Sequence, residues 1–244
     1  YDGCKIIYFD VGGSSIPLNI CCGGTVYEFG QSKISLQPLG DVDINDNESM
    51  SWATSFIELL IRQQDPKLLG IKTNTAIREA LKSLATTPNK EDRTLTNFVS
   101  FMQIPEIQEA LEIYTNKGIY GSYLDGNSTN ISESIFLTFE MEKIIKDNKI
   151  LMPVLNYLIH KIETEIIATG KPVYLFFDEC WLFLKDPTMS AFMANALKTF
   201  RKKNTSCIFA TQELDDIVNC EIGHVILSQC FPHIYLANDK AVSK

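Results

Sequence analysis

The sequence predicts an α/β protein, a mostly parallel sheet covered by helices on both faces, with a block of helices set into the alternation. Three observations predict it. Short apolar runs alternate with helical patterns along most of the 244 residues. Those runs are apolar on consecutive positions instead of every second one, as strands buried on both faces must be. Residues 46–116 read as one helix after another, with no strand between them. The composition agrees, since 45% apolar and 21% charged residues describe a globular chain with a sizeable core and exclude collagen, coiled-coil and disordered classes.

Taken in order, Lys5-Ile6-Ile7-Tyr8-Phe9-Asp10 is an apolar run stopped by an acid and then by Gly12-Gly13, a buried strand ending in a turn. Residues 25–29 read as a second strand. After the Pro38-Leu39-Gly40 turn, Trp52, Phe56, Leu59 and Leu60 recur at helical spacing and make 48–62 an amphipathic helix. Residues 73–84, 95–102 and 105–114 are further helices, each entered through Thr, Asn or Pro. A turn-rich stretch over 118–130 leads to the strand Ile135-Phe136-Leu137-Thr138-Phe139. Residues 151–168 form a long helix closed by Gly170, with Pro153 tolerated in its first turn. The fully apolar strand 173–177 follows, then a helix over 190–203, a strand over 207–210, a helix over 222–230 and a last strand over 233–236. The implied division is 1–45 and 117–244 for the sheet-bearing core and 46–116 for the inserted helical subdomain. No internal repeat is found.

Several function classes are excluded or disfavoured. No apolar stretch approaches the ~20 residues that span a bilayer. A net charge of −8 argues against a surface built for general phosphate-backbone binding, so nucleic acid is not the default partner. Seven cysteines without C-x-x-C spacing and only three histidines support neither a disulfide framework nor a zinc site, and fit the reduced thiols of a cytosolic protein. Vicinal Cys21-Cys22 reads as two partly buried small apolar residues, with a redox pair as the alternative. The start, Tyr1-Asp2-Gly3-Cys4-Lys5, has no methionine and no cleavable apolar segment and reads as an internal cut.

The sharpest chemical signal is Val173-Tyr174-Leu175-Phe176-Phe177-Asp178-Glu179, which delivers two carboxylates to the C-terminal end of a strand, where open α/β sheets place their ligands. Strand alternation turns adjacent side chains to opposite faces, so the two acids have different targets. In a nucleoside-triphosphatase of the Walker type the first acid lies near Mg²⁺ through water and the second polarises the attacking water. In the blander alternative they cap the turn before Trp181. Thr211-Gln212-Glu213 forms a second polar strand end, where a neutral glutamine can sense a γ-phosphate or its water; otherwise Thr211 caps the helix beginning near Glu213. Arg201, within Leu197-Lys198-Thr199-Phe200-Arg201-Lys202-Lys203, is either a helix-end charge complementing the dipole or an arginine finger. No G-x-x-x-x-G-K-[ST] occurs: Gly170-Lys171 is followed by Pro172, and Gly12-Gly13 and Gly23-Gly24 lack a following helix start with Lys and Ser or Thr. The phosphate cradle of such an enzyme is therefore expected upstream of Tyr1.

The runs PVLNYLIHKIE (153–163), LFFDECWLFL (175–184), LKTFRKKN (197–204) and IFATQ (208–212) resemble the type IV secretion ATPases of the CagE/TrbE/VirB family, within the HerA/FtsK-like P-loop NTPases. Gly118-Ile119-Tyr120-Gly121 with Leu124-Asp125, the unit around Phe139-Glu140-Met141, and Leu236-Ala237-Asn238-Asp239-Lys240 fall in the same order, so the resemblance covers practically the whole chain. It implies a RecA-like P-loop NTPase core with Asp178 and Glu179 as Walker B acids, Gln212 as sensor and Arg201 as finger. It further implies Asn238 and Lys240 at the nucleotide, ATP as substrate, and Mg²⁺ near Asp178 through water. The protein would be a cytoplasmic motor, peripheral to the bacterial inner membrane, that assembles with other secretion components and with itself as a hexamer. It would power substrate export or pilus assembly. Two departures stand out: the P-loop is absent from these residues, and Asp10-Val11-Gly12-Gly13-Ser14-Ser15 occupies the place where relatives tend to carry a basic and acidic stretch, which shifts weight to Glu179. The competing class is a non-catalytic scaffold of the same fold, and a DNA-pumping motor is disfavoured by the charge.

Overall fold

Among the described residues, five short apolar runs become five strands, all parallel: β1 (Lys5–Asp10), β2 (Thr25–Glu28), β3 (Phe136–Glu140), β4 (Val173–Phe177) and β5 (Thr205–Phe209), in the spatial order β2-β3-β1-β4-β5. The computed structural model describes residues 3–29, 35–129, 131–184 and 187–236, without the side chains of Leu182, Phe183, 187–189, Phe192 and Arg201. The register puts Tyr27, Phe139, Phe9, Phe177 and Phe209 opposite one another on successive strands. Parallel strands in register stack like upon like, and the rings follow at centroid spacings of 5.2, 5.6, 5.0 and 5.4 Å. One aromatic row thus crosses the whole sheet, just short of its C-terminal edge. Because side chains alternate, Asp10 and Glu140 belong to the opposite face, which also carries the stacked pair Tyr8 and Phe176 at 5.3 Å.

Helices surround this sheet. α1 (Ile16–Cys21) follows β1 and packs on β2 and β3. Its buried Asn19 donates to Thr138 Oγ1 at 3.0 Å, and Gly24 comes so close that any Cβ there would lie 2.5 Å from the Phe136 carbonyl. Between β2 and β3 run α2 (Asn47–Gln64), α3 (Ile71–Ala85), α4 (Leu95–Phe101), α5 (Pro105–Glu112) and the short α6 (Gly121–Leu124). Asp46 caps α2 by accepting from the Glu48 amide at 2.9 Å, and Thr94 caps α4 from the Asn97 amide at 3.2 Å. α7 (Asn148–Lys161) links β3 to β4 and packs against α2. α8 (Trp181–Leu184) and α9 (Pro187–Phe200) link β4 to β5, and α10 (Leu214–Val218) and α11 (Gly223–Gln229) follow.

Four expectations are corrected. Residues 233–236 form no strand: Ile234 and Leu236 are 81% and 85% exposed, and β-propensity without a neighbouring strand to pack on makes no sheet. The α1 helix was not anticipated; Asp10 accepts from the Ser15 amide and hydroxyl, both at 2.8 Å, and so sets its start. Cys21 and Cys22, at its end, are exposed rather than partly buried. Finally, Asp147 starts α7 early by accepting from the Lys149 amide at 3.1 Å, which leaves Pro153 in the helix interior. Proline has no N–H for the carbonyl four residues back. That carbonyl, on Lys149, instead accepts from the buried Tyr114 hydroxyl at 2.9 Å, and Gln64 Nε2 donates to the same hydroxyl at 2.9 Å.

Smaller shifts concern boundaries. α3 begins at Ile71 and not Thr73, whose hydroxyl donates to the Leu68 carbonyl at 2.6 Å, and β5 begins at Thr205. Gly170 closes the segment after α7 at φ +73°, as its position suggested, although the helix widens first into a π-turn over Ile162–Ile166. Among the described residues no helix is long and apolar enough to cross a membrane.

Candidate active site

Four neighbouring strands end in acids or run into them. Glu28 closes β2, Glu140 closes β3, Asp10 closes β1, and Asp178 and Glu179 follow β4. The chain leaves β1 towards β2 and leaves β4 towards β5, so its connections diverge between Asp10 and Asp178. Sheets of this kind bind ligands at such a divergence.

Asp10 is completely buried and fully engaged, accepting from Ser14 Oγ and from the Ser15 amide and hydroxyl, each at 2.8 Å. Glu140 Oε1 accepts from the Gly12 amide at 3.2 Å and the Glu142 amide at 2.8 Å. Gly12 and Gly13 are left-handed, at φ +84° and +73°, so this glycine turn wraps a carboxylate of the same chain. It is no phosphate cradle. Burial pushes the Glu140 carboxyl up, the Glu142 and Gly12 amides oppose this, and the Asp10 charge adds to it.

Asp178 is half-buried, and its Oδ1 accepts from the Glu179 amide at 3.1 Å. Burial raises its carboxyl above the ordinary range, and the charges of Asp10 and Glu179 push the same way against that amide bond. Burial and the charges of Asp178 and Asp10 also raise the Tyr8 hydroxyl, as one shared face requires. Glu179 goes elsewhere. Its Oε2 accepts from Trp181 Nε1 at 2.7 Å, and its Oε1 accepts from Gln212 Nε2. The two acids therefore do have different partners, but not through strand alternation: Glu179 lies past the strand with a left-handed φ of 47°, which swings its side chain towards β5. The Cys180 amide on the Ala210 carbonyl at 2.9 Å and the Ala210 amide on the Phe177 carbonyl at 2.9 Å lock the two strand ends together.

Of the residues singled out from the sequence, Asp178, Glu179 and Gln212 thus come together. Thr211 bonds the residue that begins α10 and not the amides of its first turn: its hydroxyl accepts from the Glu213 amide at 3.4 Å and donates to the Glu213 carbonyl at 3.2 Å. Arg201 opens the 3-10 turn Arg201–Lys203 after α9, and its side chain lies outside the described residues, as do Asn238 and Lys240 altogether. Sequence reasoning discounted Asp10, although an acid ending an apolar run is the signal that found Asp178. It gave Trp181 no role, because an indole donor leaves no pattern. The donors suit Mg²⁺ in kind, being carboxylate oxygens whose crowded charge a cation relieves, and one carboxylate with water and substrate phosphates is a common Mg²⁺ arrangement. Among the described residues no three His, Cys, Asp or Glu side chains form a metal-holding group.

Residues 102–242 match the family model described as the TraG P-loop domain. A probable conjugal transfer protein TrbE of Sinorhizobium fredii is 33% identical over 248 residues, an alignment covering 99% of this chain and 36% of the relative. VirB4 of Thermoanaerobacter pseudethanolicus superposes with a TM-score of 0.69 at 17% identity, over 91% of this chain and 66% of that one. The plasmid coupling protein TrwB in complex with ADP and Mg²⁺ superposes with a TM-score of 0.53 at 14% identity, over 93% of this chain and 61% of that one. The chain spans about a third of the length of the curated relatives it matches, 36% of one TrbE and 30% of another.

Proposed function

Because the chain belongs to the TraG P-loop domain family, we propose that it is the Walker B and sensor portion of an ATP-hydrolysing motor of a type IV secretion or conjugation system. The observation that carries this reading is the Glu179 carboxylate, held between Trp181 and Gln212 beside Asp178 at the carboxyl edge of a RecA-like sheet. Glu179 is the general base. It takes a proton from the attacking water as the water oxygen bonds to the γ-phosphorus, and the bond from that phosphorus to the bridging oxygen breaks with its electron pair leaving on ADP. Gln212, neutral and bonded to Glu179, reports the γ-phosphate to the base. Asp178 would hold Mg²⁺ through water; when bound, that ion neutralises charge on the phosphates.

The phosphate cradle belongs to residues before Tyr1, since these 244 residues contain no G-x-x-x-x-G-K-[ST] and Gly12-Gly13 is filled by Glu140. Arg201 is a finger reaching a neighbouring subunit of a hexamer, and Asn238 and Lys240 contact the nucleotide. Residues 46–116 form an inserted helical subdomain. Relatives named as type IV secretion system proteins support other components of that system as partners, and the motor would work on the cytoplasmic side of the inner membrane.

In the complete protein, Glu179→Gln should retain ATP binding while hydrolysis falls roughly 10²-fold or more. Asp178→Asn should weaken the Mg²⁺-dependent part of ATP binding. Near-wild-type turnover in both variants would leave a scaffold of the same fold as the better reading.

A further inference from the structure

We infer that Trp181 is a positioning residue for Glu179, its indole N–H fixing one carboxylate oxygen while Gln212 fixes the other. The inference rests on Glu179 being the base proposed above. A base on a glutamate side chain has three rotatable bonds and must hold one orientation towards the water it deprotonates. Geometry loose by an ångström is costly in such chemistry.

The Trp181 bond has the features that fix an orientation. It is 2.7 Å long, in the range of charge-assisted hydrogen bonds. An indole nitrogen only donates, so it stabilises the carboxylate without competing for the proton that Glu179 takes up. Gln212 differs, because its amide can present either oxygen or nitrogen and its side chain is exposed. Trp181 is also firmly placed: it opens α8 between Cys180, fully buried, and Leu184, 4% exposed. The amide of Cys180 is tied to the Ala210 carbonyl of the neighbouring strand end. Each carboxylate oxygen has two acceptor sites. With one filled on each by Gln212 and Trp181, one site per oxygen is left for water among the described contacts, and the orientation of both is set.

The test uses the complete protein and three variants, Trp181→Phe, Glu179→Gln and the double variant. Phe keeps a ring and deletes the donor. Its kcat should fall roughly tenfold or more, the effect of one lost hydrogen bond to a charged group, with ATP affinity unchanged. The double variant should be no slower than Glu179→Gln alone, because the indole acts only through that carboxylate. A purely structural tryptophan would lower ATP affinity and add its effect to that of Glu179→Gln. Should Trp181→Phe fail to fold, site-specific β-(3-benzothienyl)alanine at 181 preserves the bicycle and replaces N–H by sulfur, and the same loss is expected. Unchanged kcat in whichever variant folds, or additive losses, overturns the positioning role. If Glu179→Gln itself keeps its turnover, the base assignment fails instead.

Discussion

The carboxyl edge of the sheet and the junction around Lys161 each gather acidic side chains, and they differ in what else they gather. At the junction Lys161, 7% exposed, bonds Asp41 at 2.8 Å and also Glu165, and Lys90 bonds Asp41 at 2.9 Å. Against the upward push of burial, hydrogen bonds from Lys161 and Lys90 hold the Asp41 carboxyl down to about 2. At the sheet edge no lysine or arginine among the described residues pairs with Asp10, Glu140, Asp178 or Glu179, and the Asp178 and Glu140 carboxyls are pushed up instead. A balanced cluster is complete by itself, and its bonds tie α7 to the chain before α2 and to the turn after α3. Among the described residues the sheet-edge acids have no such counter-charge, and carboxyls pushed up by burial and by one another are of the kind that chemistry uses.

The contrast can be broken at either cluster, and the largest effect is expected at the sheet edge. If Arg201 supplies positive charge to a neighbour's site, Arg201→Ala should lose roughly 10³-fold in turnover with little change in stability, while a mere helix-end charge would cost only ~0.3–1 kcal/mol of stability. Turnover measured through the assembly range of concentrations separates the two. At the junction, Lys161→Met should cost about 1–2 kcal/mol in denaturant unfolding and leave ATP binding untouched. The cost is moderate because Asp41 and Glu165, 64% and 47% exposed at their side chains, can be rehydrated. The folded carboxyl of Asp41 lies below its ordinary 3.8, so its contribution is whole above pH ~4 and is lost as pH falls towards 2. The gap between wild type and Lys161→Met should close over that window.

Two smaller effects sharpen the same division. Tyr114→Phe orphans the Lys149 carbonyl left free by Pro153, and about 1–2 kcal/mol of stability should be lost with no effect on hydrolysis. His160 stacks on Trp52 at 3.9 Å, and burial, with the Lys161 charge, pushes its imidazole down to about 4. Its folded value lies below the ordinary 6.5, so its contribution is whole above pH 6.5 and falls as pH drops towards 4. About 1 kcal/mol should be gone by pH 5.5. Unfolding of His160→Gln should lack that slope.

How much could be read in advance differed by kind of element. Strands β1 and β4 were found with their observed limits because a run apolar on both faces has no other stable home in a chain of this composition. Residues 233–236 carry a similar local pattern and are not a strand, since the pattern records fitness for a sheet and not the presence of a neighbour. The six-residue α1 was hidden by Gly12-Gly13 and Pro17, and it exists because Asp10, at a strand end, holds the Ser15 amide. In the site, Asp178, Glu179 and Gln212 were legible as polar residues ending apolar runs. The left-handed turn at Glu179 and its bond to Trp181 were not, because both arise where β4 and β5 meet.

Residue order alone was enough for the α/β class, the strand ends that carry acids and the family resemblance, all of them properties of short-range patterning. Which strands are neighbours emerged only when the faces packed. The order β2-β3-β1-β4-β5 brings together Asp10 and Asp178, far apart in the chain, aligns one ring from each strand into a single row, and hands Glu179 to Gln212. Pairing between strands depends on register across the whole sheet, and any parallel neighbour would satisfy the same backbone groups. The choice among neighbours lies in how the faces pack, a property of all five strands at once.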